Sequence, residues 1–204
     1  MNDFIFHKKN CIPKENCDKI IELFDKSDRH EAGQLGENIL NANMKSCIEE
    51  YVYSRTKNNY NFHFLSFLLT SKNEYEKKYP FLTYLPIWNL AETYKIQKYK
   101  PGEAYFKEHC ENDGSFETVP EKKQVKGPCK RLLTWMIYLN TVKNGGGTDF
   151  PTQQKRFKAN KGDLLIWPAG WTHPHRGVVS KTEIKYIITG WFDFDPSHGK
   201  YIVK

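Results

Sequence analysis

The stretch "EHCEN", residues 108–112, sets His109 and Glu111 two positions apart. On a strand, alternate residues share a face, so the imidazole and the carboxylate would point one way and Cys110 the other. A neutral imidazole beside a carboxylate can chelate a divalent ion. "THPHRG", residues 172–177, offers His173 and His175 at matching parity, so alternation alone does not choose between them. Ten residues beyond His175, Lys185 opens the apolar stretch "KYIITGWF". A lysine in such a strand must reach water or meet an anion. Lys185, Ile187, Thr189 and Trp191 share one face, and in a closed barrel that anion could be the far carboxylate of a bound keto acid.

A second histidine from a distant strand would complete a triad of two histidines and one carboxylate. That ligand set leaves metal positions open and points to non-haem Fe(II) oxygen chemistry. The other histidines (His7, His30, His63 and His198) lie in terminal or helical context and read as structural or exposed.

The elements that must carry these residues fall in two parts. Cys17, Ile20, Ile21 and Phe24 follow helical spacing and predict a helix over 14–27. Leu40, Met44, Cys47, Ile48 and Tyr51 repeat the pattern, predicting a second helix over roughly 37–54. A third, shorter helix is expected around 72–79, stopped by Pro80. Beyond residue 90 the texture changes. "AETYKIQKY", "AYFKEHCE", "RLLTWMIYLN", the turn "KNGGGTDFP", "KRFKA", "DLLIW", "THPHRGVV" and "IKYIITGWF" read as about eight short strands. Helices followed by a run of strands predict an α+β fold: a jelly roll, or double-stranded β-helix, with N-terminal helices packed on one sheet. The expectation is one domain over 1–204, helical to about 90 and with its catalytic core over about 91–195.

Composition bounds the partners. The net charge of +7 permits an acidic partner, but the basic residues are scattered rather than gathered in a patch, which argues against nucleic acid. No apolar run approaches the roughly 20 residues that span a bilayer. Five cysteines without paired CxxC spacing, and an N-terminus without a signal-peptide pattern, fit a reduced, cytoplasmic setting.

In chain order, "YKPGEAYFKEHCE", "RLLTWMIYLN" with "GGGTDFP", "KGDLLIWP" and "HRGVV…KYIITGWF" together resemble the 2-oxoglutarate-dependent Fe(II) dioxygenases, and among them the prolyl-4-hydroxylase-like branch. The likeness covers residues 90–192, with a weaker one in "PKENCDKIIELF". It implies His109 and Glu111 as proximal iron ligands. The ten-residue spacing to Lys185 then selects His175 over His173 as the distal ligand. Lys185 and Tyr138 would hold the C5 carboxylate of 2-oxoglutarate, with Tyr99 at the same pocket and Thr134 and Thr189 as neighbours. Trp171 and Arg176 flank the distal histidine, placed either to meet substrate or to pack against it. The implied cofactors are Fe(II), 2-oxoglutarate and O2, with ascorbate as a supporting reductant. The implied reaction hydroxylates a C–H bond of a peptide, protein or small molecule and releases succinate and CO2. The branch's usual carboxylate is aspartate, and Glu111 is one methylene longer. Segment 112–130, polar and punctuated by Pro and Gly, reads as a loop or lid over the site. The alternatives are a nucleic-acid-directed dioxygenase, against which "KYIITGWFDFD" lacks arginine, and a non-catalytic jelly roll that binds sugar or protein.

Overall fold

A computed structural model describes residues 2–35, 40–115, 117–119 and 124–195. Helix α1 (Lys14–Asp25) buries Cys17, Ile20 and Phe24 on one stripe. Helix α2 (Asn59–Lys78) buries Tyr60, Phe64, Leu68, Ser71 and Tyr75, spacings of three and four that keep one face inward. Asn58 caps its start by accepting from the Asn61 N–H at 2.9 Å. Pro80 ends it and opens a short 3-10 turn over Pro80–Tyr84. No described helix is long and apolar enough to cross a membrane.

Among the described residues twelve strands occur, in chain order β1 (Phe6–Lys8), β2 (Glu31–Ala32), β3 (Ile48–Tyr53), β4 (Trp88–Tyr99), β5 (Glu117–Val119), β6 (Gln124–Lys126), β7 (Arg131–Tyr138), β8 (Thr148–Phe150), β9 (Lys155–Phe157), β10 (Leu164–Pro168), β11 (Arg176–Gly177) and β12 (Lys185–Phe194). Seven form an antiparallel sheet in the order β1-β10-β7-β12-β4-β3-β2, and β11-β8-β9 form a smaller one. Strands β5 and β6 pair as a hairpin. The helices pack on one face of the large sheet, where Phe24, Phe64, Trp135 and Ile188 join one apolar cluster. A second cluster lies on its other face, joining Met136, Tyr138 and Ile187 of the large sheet to Phe150 of the small one.

Three expectations need correction. The second predicted helix is absent where described: residues 48–53 are strand β3, paired along β4, and residues 37–39 lie outside the described residues. Its supposed inner face fails the burial test, since Leu40 and Tyr51 are exposed. Long-range pairing of a β-branched and aromatic run, Val52 between two tyrosines, overrides local periodicity. The short helix expected at 72–79 is the last part of the much longer α2. "AYFKEHCE" forms no ladder; its bridges are the isolated pairs Lys45–Tyr105 and His109–His175. The N-terminal part is therefore mixed rather than helical, because β1, β2 and β3 all extend the large sheet.

One glycine is dictated by the helix-packed face of the large sheet, behind the site. A Cβ at Gly190 would lie 2.6 Å from the Trp135 ring and 2.9 Å from Tyr94 Cβ. Glycine lets β12 pass those rings, and its pairing with β4 shifts register between Gly190 and Phe192.

Candidate active site

His109 and His175 meet through that isolated bridge. The His109 N–H donates to the His175 carbonyl at 3.0 Å, and the His175 N–H returns to the His109 carbonyl at 2.9 Å. Each ring is then oriented by its own chain. His109 Nδ1 donates to the Lys107 carbonyl at 2.9 Å, and His175 Nδ1 to the His173 carbonyl at 3.1 Å. A carbonyl only accepts, so both protons sit on Nδ1 and both Nε2 atoms carry free lone pairs. Those lone pairs face Glu111 Oε1, 3.5 Å from His109 and 3.6 Å from His175. His109 Nε2 is buried without a hydrogen-bond partner.

Three acceptors with no proton between them repel one another unless a cation joins them. The three ligand atoms lie within 4.8 Å of one another, and this is the metal-competent cluster found among the described residues. Burial lowers the pKa of His175, which keeps it neutral and able to ligate. Burial works against the charge on Glu111, but the Arg131 guanidinium draws the other way and the carboxyl lies well below its usual range. The donor set fits a divalent metal with open positions.

The surroundings fix these ligands. The Tyr105 ring stacks on His109 at 3.6 Å between centroids, while Phe150 and Trp167 flank His175. The Trp191 indole N–H donates to Glu111 Oε2 at 2.9 Å, leaving Oε1 toward the histidines. Arg131 donates to the Glu111 carbonyl at 2.8 Å, and its guanidinium lies 3.8 Å above the Trp191 ring. Glu111, longer than aspartate by a methylene, thus has its second oxygen tied down.

The triad opens on a cavity of about 330 Å³. Its floor is β12 against β4, with Lys185 opposite Tyr99, Ile187 opposite Gln97 and Thr189 opposite Lys95. Lys185, Ile187, Thr189 and Trp191 all line it, as do Tyr99 and Arg176. Lys185 is 4% exposed, and its ammonium sits 4.3 Å from the centroid of the Tyr99 ring. Burial lowers its pKa to about 8. Thr189 donates to the Trp135 carbonyl at 3.0 Å.

Other expected residues lie elsewhere. His173 is turned away, its Nε2 donating to the Asp3 carbonyl at 2.8 Å. Thr134 faces the interior but is fully buried, its strand neighbours being Trp167 and Trp191, and it does not line the cavity. Tyr138 is also behind the wall. Its hydroxyl reaches the cavity only through Thr148, 2.7 Å away, which does line it. Trp171 is 82% exposed and outside the cavity lining. Parts of segment 112–130 lie outside the described residues. Its described ends border the cavity at Asp113 and Pro128, and Asn112 ties them by donating to the Cys129 carbonyl at 3.0 Å.

Sequence reasoning passed over Glu49, Lys45, Lys95, Gln97, Arg131 and Thr148. Alternation along β4 from Tyr99 marks Lys95 and Gln97, and Thr148 stands inside the quoted "GGGTDF". Glu49 and Lys45 had no such signal once their segment was read as helix.

The comparisons agree with this geometry. Residues 94–193 match the 2OG-Fe(II) oxygenase superfamily, and this part of the chain belongs to it; the superfamily's cofactors are Fe(II), 2-oxoglutarate and O2. An Acanthamoeba polyphaga mimivirus protein whose name proposes it as a prolyl 4-hydroxylase is 30% identical over 110 residues, 50% of this chain. That match spans 45% of the relative, less than half its length. The fold is shared with the viral collagen prolyl hydroxylase of Paramecium bursaria Chlorella virus-1 in its 2OG complex, at a TM-score of 0.64 and 17% identity over 94% of this chain and 96% of that one. It is shared too with a Trichoplax adhaerens prolyl hydroxylase in complex with a hypoxia inducible factor peptide fragment, at 0.69 and 16% over 95% and 84%.

Proposed function

We propose that the chain is a 2-oxoglutarate- and Fe(II)-dependent hydroxylase built on a jelly roll, with His109, Glu111 and His175 as the iron ligands. The observation that carries this reading is the convergence of His109 Nε2 and His175 Nε2 on Glu111 Oε1. They converge at a cavity that also holds the buried ammonium of Lys185. When bound, Fe(II) supplies the oxygen chemistry that couples decarboxylation of 2-oxoglutarate to succinate and CO2 with hydroxylation of a C–H bond.

The chain's own residues bind, orient and shield. Lys185 takes the far carboxylate of 2-oxoglutarate, with Thr148 offering its hydroxyl from the facing wall, while the Thr189 hydroxyl stays committed to the Trp135 carbonyl. Tyr99 supports the ammonium from below through its ring. Tyr138 acts one shell out, by orienting Thr148. Tyr105, Phe150 and Trp167 exclude water from the histidines and so strengthen the charges they surround. Arg176 is clamped to Asp149 at 3.2 Å at the cavity rim, where substrate would pass.

The relatives are prolyl hydroxylases by name, and this supports a prolyl residue in a peptide as substrate. Succinate release, measured with Fe(II), 2-oxoglutarate and a panel of proline-containing peptides, tests it. Succinate should form together with a peptide that has gained one oxygen atom. Succinate with no oxidised peptide would remove the peptide substrate, and no succinate under any condition would remove the hydroxylase.

A further inference from the structure

Five lysine and arginine side chains line the cavity: Lys45, Lys95, Arg131, Arg176 and Lys185. Four of them lie against a carboxylate. Arg131 is 3.4 Å from Glu111, Arg176 is 3.2 Å from Asp149, and Lys45 and Lys95 share Glu49 at 2.6 and 3.1 Å. Among the described residues Lys185 meets no carboxylate. Its contact is the Tyr99 ring.

Glu49 reaches Tyr99 as well. It is 0% exposed and accepts five hydrogen bonds, the longest from the Cys47 thiol to Oε2 at 3.9 Å. Oε1 takes the Gln34 N–H at 3.0 Å and Lys95, and Oε2 takes Lys45 and the Gln97 amide at 2.8 Å. An ionised carboxylate only accepts, so Gln97 must turn its NH2 toward Glu49 and its oxygen away. That oxygen accepts the Tyr99 hydroxyl proton at 2.9 Å. The Tyr99 hydroxyl is thereby committed to the wall, and its ring is held beneath Lys185.

We propose that Glu49 is a positioning residue for the dianionic co-substrate: it neutralises Lys45 and Lys95 and, through Gln97, fixes the Tyr99 platform, so that Lys185 is the one cation among the described cavity residues left to receive a carboxylate. This rests on the reading that 2-oxoglutarate binds at Lys185. Lys95 stands opposite Thr189, four residues along β12 from Lys185, or roughly 13 Å at strand spacing. Released from Glu49, it would offer anions a second ammonium on the same floor and draw the dianion out of register with the metal.

The test titrates 2-oxoglutarate into the Mn(II)-loaded protein, so that binding is read without turnover. Wild type, E49Q and the E49Q/K95M double variant are compared, with sulfate as competitor. E49Q should bind at least tenfold more weakly and become sensitive to sulfate, whereas the double variant should lose the sulfate sensitivity and regain the part of the affinity lost to Lys95. Wild-type affinity in E49Q, without sulfate competition, overturns the role of Glu49. Should E49Q fail to fold, Gln97→Leu keeps the Glu49–lysine pairs and breaks only the relay. It should lose affinity without gaining sulfate sensitivity, and unchanged affinity there overturns the proposal equally. A wild-type protein that does not bind 2-oxoglutarate contradicts the proposed function instead.

Discussion

His109 and His175 are joined backbone to backbone by a reciprocal pair of hydrogen bonds, 3.0 and 2.9 Å long, in a bridge that belongs to no ladder. The bridge brings two distant segments to one point, and the ring positions follow from it. His173, two residues away, has its ring committed to the Asp3 carbonyl. His175→Ala should therefore abolish tight metal binding. His173→Ala should leave metal affinity unchanged and cost about 1–3 kcal/mol of stability through the stranded carbonyl. Metal titration and denaturant unfolding of the two variants check both halves.

Trp191 holds the glutamate ligand by its 2.9 Å hydrogen bond to Oε2. Trp191→Phe keeps the ring under Arg131 but removes the donor. Loss of such an outer contact typically lowers metal affinity by about 10–100-fold. Competition against a chelator of known affinity reads this directly, and an unchanged affinity would mean that Glu111 is held by other means.

Lys185 carries a stability cost that its function requires. Burial lowers its pKa from 10.5 to about 8, and at about 1.4 kcal/mol per unit this amounts to about 3 kcal/mol at neutral pH. Lys185→Met should therefore unfold at higher denaturant concentration than wild type while losing at least tenfold in 2-oxoglutarate affinity. A variant that loses both stability and affinity would show that the ammonium is satisfied in a way the structure does not contain.

The same group sets a pH window. Its folded pKa lies below its unfolded one, so the destabilisation is complete below pH 8 and is relieved as pH rises from about 8 to 10.5. Affinity for 2-oxoglutarate should move the opposite way, falling about tenfold per pH unit above 8 as the ammonium discharges. The neighbouring titratable groups are Tyr99 and Cys47. Burial raises the Tyr99 pKa well above its usual value and that of Cys47 to about 12, so both stay protonated through this window. Calorimetric titrations across pH check the slope, and a flat profile would remove Lys185 from the carboxylate.

Much of the site was legible because strand alternation is a strict rule. Lys185, Thr189 and Trp191 line one cavity, as their parity on β12 requires. His109 and Glu111 reach the same point even though their segment forms no ladder, because the backbone there is pinned by single hydrogen bonds to His175 and Ala169. Strand β3 was not legible. Leu40, Met44, Cys47, Ile48 and Tyr51 fall by chance at helical spacing, and only β4, distant in sequence, reveals that the segment pairs as a strand. That misreading also hid Glu49, whose two lysine partners come from different segments. Tyr138 illustrates a finer limit. Parity gives the face it occupies, but not that Thr148 stands between it and the cavity.

The central claim is that His109, Glu111 and His175 hold one iron that 2-oxoglutarate then chelates. Anaerobic titration of the protein with Fe(II) and 2-oxoglutarate, followed by visible absorption, tests it most directly. A weak charge-transfer band should grow to saturation at one iron per chain and be absent in His175→Ala. A wild-type protein that binds both components without such a band, or a His175→Ala variant that keeps it, would contradict the account.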